Sequence, residues 1–187
     1  MLKRCLTAFD FIAETINKIN KKEEKKMDLK LENENQKLKV RANGVIINDG
    51  KVLMCSINNN GFWCCPGGHI HLGEDSKTAV IREINEEVEI KFDDARLITF
   101  MESFFAGKND KRFHELSFYY LMQGRVPEEK VKDYSYDEND EGKMVHLEFK
   151  WIPLSDIDKF DVRPKDFMQV LKSGDFDRLH HIIAKEI

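Results

Sequence analysis

The most constraining stretch of this chain is GHIHLGEDSKTAVIREINEEVEI, Gly68 to Ile90. It joins a glycine pair to a helix with two distinct edges. Asp75 is a good N-cap, so the spacing predicts a helix starting at Ser76 and running to about 88. Val80, Ile81, Ile84 and Val88 share one arc and can face a sheet. Glu83, Glu86 and Glu87 occupy the neighbouring arc, because residues three and four apart lie side by side. Three carboxylates so placed repel one another and weaken an isolated helix. They make sense with a cation against them. Hard oxygen donors on one rigid helix suit magnesium or manganese better than zinc. Gly67 and Gly68 let the chain turn sharply and bring backbone carbonyls near the helix. Arg82 sits among the acids, where its planar fork can pair with Glu74 or a helix carboxylate and hold it in one rotamer. A metal cluster of this kind can neutralise two phosphates and activate a water for attack at phosphorus. In such a substitution, positioning and charge neutralisation supply most of the catalysis.

The flanking sequence reads as strands interleaved with two or three helices, which argues for a mixed α/β domain with helices on both sheet faces. LKVRANGVIIN, from Leu38, predicts a strand, Asn48-Asp49-Gly50 a tight turn, and KVLMCSI the return strand. Asn58 to Gly61 forms a second loop, followed by the short apolar run FWCC. Further strands are expected at about 96–105 and 113–123, and a last one in VHLEFKWIPL. Residues 127–143 read as a polar acidic loop with little apolar content. Ser155-Asp156 suits a short helical turn. DFMQVLKSG, after Pro164, has a helix pattern ended by Gly174, and residues 176–187 are expected to add another helix.

At the N-terminus, Leu2, Leu6, Phe9, Ile12, Ile16 and Ile19 make one stripe of an amphipathic helix, followed by the charged run Lys21 to Lys26. Two domains follow: residues 1–26 as helix and linker, and 27–187 as the catalytic domain. Met27 is an alternative chain start. The stripe can serve a homodimer or partner interface, or fold back on its own domain. It lacks the continuous apolar centre of a secretory signal, and no apolar run is long enough to span a bilayer. The net charge of −4 gives no strong nucleic-acid signal. The four cysteines form no CxxC pair, so reduced thiols in a cytoplasmic protein are expected, three of them on strands.

The segment from Gly68 to Ile90 resembles the Nudix box, whose pattern is Gly, five residues, Glu, seven residues, Arg-Glu, an apolar residue, any residue, Glu-Glu, any residue, Gly and an apolar residue. Gly68, Glu74, Arg82, Glu83, Ile84, Glu86, Glu87 and Ile90 match it in place. Glu89 departs from it, standing where the family has Gly. A left-handed Glu there costs roughly 1 kcal/mol, which predicts a different helix exit without loss of a metal ligand. His71 stands where many relatives carry Glu, which leaves the hydrogen bonding of the loop open. The resemblance implies an α/β/α sandwich with a mixed sheet over about residues 38–172. It implies a hydrolase that splits a pyrophosphate bond in a nucleoside diphosphate linked to another group. Glu83, Glu86 and Glu87 would bind Mg2+, or Mn2+, with the carbonyl of Gly67 as a further ligand. Glu83 is also the candidate general base, alongside catalytic Arg82. Glu115, Glu138 and Glu141 are options for an additional catalytic carboxylate, of which Glu115 is preferred.

Arg41 is a candidate phosphate contact and Phe62 a candidate stacking surface for a base. Trp63 could also stack but suits the core better, and His69 and His71 are read as ordinary exposed side chains. The substrate is expected to be a small nucleotide. No Pro follows the box at the spacing of ADP-ribose enzymes, since the next is Pro127. The NADH-type array and a coenzyme A signature are also absent. This favours a nucleoside triphosphate or nucleotide-sugar substrate. Two rivals remain: a nucleotide sensor that binds without cleaving, and an RNA 5'-end pyrophosphohydrolase.

Overall fold

The computed structural model describes residues 26–107, 110–140 and 142–186. The expected N-terminal helix, and with it Cys5, lies outside them, as does Glu141. The described chain builds two sheets and two helices. Strand β1 (Lys30–Glu32), β2 (Gln36–Val45), β5 (Gly67–His69), β6 (Asp94–Ala106), β7 (Arg112–Gln123) and β10 (His180–Glu186) make the larger sheet. Its order is β1-β2-β7-β6-β10, with β5 paired to β2. It is mixed: β2 runs parallel to β7 and β10 parallel to β6, while β5 and β6 run antiparallel to β2 and β7 respectively. The smaller sheet is antiparallel, in the order β3-β4-β9-β8, from β3 (Ile47–Asn48), β4 (Lys51–Ile57), β8 (Tyr134–Asp140) and β9 (Lys143–Pro153).

Helix α1 (Ser76–Glu83) covers one face of the larger sheet and α2 (Lys165–Ser173) the other. Each face has its own core. Val80, Ile84 and Val88 pack with Ala42, Leu53, Tyr120 and Phe149, whereas Phe167, Val170 and Leu171 pack with Val45, Met54, Tyr119 and Ile152. Successive residues of β4, Leu53 and Met54, enter opposite cores, which is why the strand is apolar from Val52 to Cys55 rather than alternating. Close packing fixes α1 over β2. A methyl group on Gly44 would stand 2.7 Å from Ile84 Cδ1, too near for an apolar contact. Among the described residues, no helix is long and apolar enough to cross a membrane.

The α/β/α sandwich is as expected, and the differences lie at four places. The segment expected as a C-terminal helix is β10. Its alternating exposure, with Ala184 buried between exposed Ile183 and Lys185, fits an edge strand, and the open edge of β6 supplies its hydrogen-bond partners. The acidic stretch 127–143 is not a loop throughout. It holds a 3-10 turn (Glu128–Lys130) and β8, in which Tyr134, Tyr136 and Glu138 alternate with Ser135, Asp137 and Asn139. The helix leading from α1 ends in a π turn (Ile84–Val88) whose exit residue, Glu89, does adopt the left-handed conformation, with φ 55° and ψ 32°. The exit therefore keeps the shape a Gly would give it. Of the described cysteines only Cys55 lies within a strand, and Cys55, Cys64 and Cys65 are free thiols.

Phe149 is completely buried, with its ring against Tyr134 at 4.8 Å and Tyr136 at 5.9 Å between centroids. Phe149→Ala removes the filling between β8 and the α1 core. A loss of about 3–5 kcal/mol is expected, read as a lower urea midpoint.

Candidate active site

The site starts from two glycines that allow backbone and side chain to approach. Gly67, with φ 141°, pairs with Asn43, and a Cβ on it would overlap the Ala42 carbonyl. A Cβ on Gly68 would occupy the place of the Glu83 carboxylate. Gly68 thus leaves a slot on β5 for the Glu83 carboxylate, while Gly67 lets β5 close against β2 and offers its amide to Glu87. The helix is launched by Asp75, whose carboxylate accepts from the Lys77 and Thr78 amides at 3.1 and 2.9 Å, as the cap reading expects.

Arg82 ties loop and helix together. Its Nε and Nη2 donate to the two carboxylate oxygens of Glu74 at 2.9 and 2.8 Å, the bidentate geometry that suits a guanidinium. Its Nη1 donates to Glu83 Oε1 at 2.7 Å and to Glu86 Oε2 at 3.3 Å, and Nη2 also reaches the His69 carbonyl at 3.1 Å. Hydrogen bonding from Arg82 holds the Glu74 carboxyl below its ordinary pKa despite some burial. Only 14% of the Arg82 and Glu83 side chains is exposed, whereas Glu86 is 61% exposed, so these two acids differ sharply in their access to solvent.

Glu87 is the deepest of them. Its Oε2 accepts from the Gly67 amide at 3.0 Å. Burial, and then the charge of Glu83, push its carboxyl up to about 8. Burial likewise raises Glu83, although Arg82 opposes it. Arg41, on β2, donates from Nη2 to the Gly67 carbonyl at 2.6 Å. It therefore fixes Gly67, whose carbonyl meets Arg41 and whose amide meets Glu87. Burial, and then Arg41, push His69 down to about 4, so its imidazole is neutral at neutral pH. His71 bridges toward Asp28 at 3.7 Å and Glu74 at 3.4 Å.

The remaining expected residues are placed apart from the helix edge. Glu115 lies on β7 in register with Lys39, accepts from the Ser117 hydroxyl at 2.8 Å, and acts electrostatically on Arg41. Glu138, on β8, acts on Glu87 instead. Phe62 lies in the loop after β4, where the Arg163 guanidinium stands 5.0 Å from its ring centroid. Sequence reasoning missed two further participants. Tyr136 and Tyr134 reach the end of the acid-bearing helix from β8. Their alternation with polar residues was the available signal.

The donor set fits a divalent cation in chemistry. Glu83, Glu86, Glu87 and the Gly67 carbonyl are all hard oxygen donors, and burial disfavours two of these carboxylates as anions until a cation offsets them. Among the described residues no three His, Cys, Asp or Glu side chains converge on one point. Arg82 occupies Glu83 and Glu86, so ion entry requires these carboxylates to reorient toward Glu87.

A buried acid with a raised pKa keeps more protons in the folded chain than in the unfolded one. Its effect on stability is therefore absent below the ordinary glutamate range and grows unfavourable as pH rises toward about 8. In chelator-treated protein the melting temperature is expected to fall between pH 5 and 8. Glu87→Gln should flatten that slope and raise the melting temperature at pH 8 by several degrees. An unchanged slope in the variant would locate the titrating group elsewhere.

Comparison with known proteins places this geometry in a family. The NUDIX domain family model matches residues 37–171. An ADP-ribose pyrophosphatase from Methanocaldococcus jannaschii is 30% identical over 86 residues, 44% of this chain and 49% of that protein. The chain thus matches about half the length of that curated relative. Two solved structures share the fold: a MutT protein from Bacillus halodurans (TM-score 0.53, 17% identity, 76% of this chain and 89% of that one) and a NUDIX hydrolase from Nitrosomonas europaea (TM-score 0.52, 14% identity, 83% and 82%). The acid-bearing helix, its glycine slot and the match across most of the described domain together make this chain a member of the Nudix family.

Proposed function

We propose that this chain is a divalent-metal-dependent pyrophosphohydrolase. Its substrate would be a nucleoside diphosphate linked to another group, of the nucleoside triphosphate or nucleotide-sugar type. The observation that carries the reading is the pair of buried, mutually repelling carboxylates, Glu83 and Glu87, set against the Gly67-Gly68 slot. Such a pair is unfavourable for stability alone and favourable for gripping a cation.

Glu83, Glu86, Glu87 and the Gly67 carbonyl would hold Mg2+, or Mn2+. When bound, the ion neutralises phosphate charge and makes water more acidic. Glu83, turned from Arg82 toward Glu87 as ion entry requires, would keep one oxygen for the ion and offer the other to the proton of the attacking water. A water oxygen–phosphorus bond forms, the anhydride phosphorus–oxygen bond breaks, and the bridging oxygen of the leaving phosphate keeps the electron pair. Arg41 holds the Gly67 carbonyl in place and supplies a positive charge for the phosphates. Glu115, beside Arg41, is the second carboxylate of the site, and Glu138, facing Glu87, is the alternative to it. Phe62 would offer a ring face to the base, with Arg163 already over the ring.

Phosphate release should be measured from a panel of nucleoside triphosphates, nucleotide sugars, ADP-ribose and triphosphorylated RNA, with and without Mg2+. Turnover of one nucleotide class with Mg2+ is expected, falling about 100- to 10,000-fold in Glu83→Gln with little change in folding. Nucleotide binding without turnover in the native chain would make it a sensor instead. A preference for the RNA end would make it an RNA-processing enzyme.

A further inference from the structure

The end of the acid-bearing helix is gripped by a segment more than forty residues downstream. Tyr136 Oη donates to the Glu87 carbonyl at 2.6 Å, Tyr134 Oη donates to the Val88 carbonyl at 3.3 Å, and Lys130 Nζ donates to the Glu89 carboxylate at 2.8 Å. Three consecutive residues are therefore caught from one side. Carbonyls in the last turn of a helix have no partner within it, and here side-chain hydroxyls supply two of them.

The gripping groups are themselves braced. Trp151 Nε1 donates to the Lys130 carbonyl at 2.9 Å, and Asp133 accepts from the Trp151 amide at 2.9 Å and Lys150 at 3.2 Å. The two tyrosine rings lie on Phe149, and the Lys130 ammonium stands 5.1 Å from the Tyr134 ring centroid. The hydroxyls are thus delivered by rigid sheet elements rather than by a loop. Lys130 also pairs with the residue that departs from the family pattern. Glu89 takes the left-handed exit that Gly would normally provide, and its carboxylate is tied back to the same clasp.

We propose that Tyr136, with Tyr134 and Lys130, is a positioning device for metal binding. Glu87 is held at both ends: its carboxylate by the Gly67 amide and its own carbonyl by Tyr136. Its side chain starts from a fixed peptide and ends at a fixed point in the slot. A ligand ordered before the cation arrives loses less freedom on binding it. This inference rests on the reading of Glu83, Glu86 and Glu87 as the metal site.

Tyr136→Phe, and the double variant Tyr134→Phe with Tyr136→Phe, remove the hydroxyls and keep the rings on Phe149. Binding of Mn2+ to the nucleotide-free chain is read by calorimetry, and the melting temperature is read in chelator. The Mn2+ dissociation constant is expected to rise about 2- to 10-fold in Tyr136→Phe and further in the double variant. Lys130→Met should move it the same way, and KM at saturating Mg2+ should stay at the native value. Tyr120→Phe is the comparison. It loses a hydroxyl that meets Ser76 Oγ at 2.7 Å at the opposite end of the same helix, and should lower the melting temperature without changing Mn2+ affinity. Native Mn2+ affinity in both tyrosine variants, or an equal loss in Tyr120→Phe, overturns the positioning role. If the native chain binds no Mn2+, or Glu87→Gln binds it as well as the native chain, the metal-site reading itself fails and this proposal with it.

Discussion

One guanidinium links the parts on which the site depends. Arg82 is bonded to Glu74 in the loop before α1, to the carbonyl of His69 on β5, and to Glu83 and Glu86 along the helix. Loop, strand and helix are joined through a single side chain in a half-buried setting, where charge-assisted hydrogen bonds are stronger than at the surface. Replacing Arg82 with Lys would keep the charge and lose the fork, since an ammonium cannot match two oxygens of Glu74 while reaching along the helix. The same contacts keep like charges apart, because Arg82 lies between Glu83 and Glu86 while Glu87 is bound separately at Gly67.

The fold makes this arrangement stiff. α1 lies so close to β2 that Ile84 meets the backbone at Gly44, and β5 hangs on β2 at Ala42 and Asn43. Helix edge and glycine slot therefore share one strand as their reference. The second sheet closes the core from the other side through Leu53 and Phe149. Stability and function pull in opposite directions here. Apolar packing supports the helix, while the two buried carboxylates on its edge oppose burial.

Much of this was legible in the sequence because it is local. Asp75 caps two amides within three residues, the three glutamates follow from helical spacing alone, and Arg82 reaches Glu74 across one loop. What was not legible depends on partners far along the chain. Residues 180–186 look neutral between helix and strand until the open edge of β6 is available to them. Tyr134 and Tyr136 are two aromatics in an acidic stretch until Phe149 and the helix end give them something to touch. Glu89 carries the wrong residue type for a left-handed exit, yet takes it, because surrounding packing and Lys130 outweigh a small local preference. The placement of Glu115 beside Arg41 depends on the parallel pairing of β2 with β7, which no local pattern announces.

The clasp from β8 also has a consequence for how the chain acquires its shape. The slot, the helix and the strand that bears them lie close together in sequence and can associate early, as local contacts form at low entropic cost. Tyr134, Tyr136 and Phe149 emerge from the ribosome much later, and the pairing of β8 with β9 later still. Until then the carbonyls of Glu87 and Val88 lack their hydroxyl partners. The finished terminus of the acid-bearing helix is therefore a product of contacts spanning more than forty residues, and cannot form before residues 134 and 136 have been synthesised.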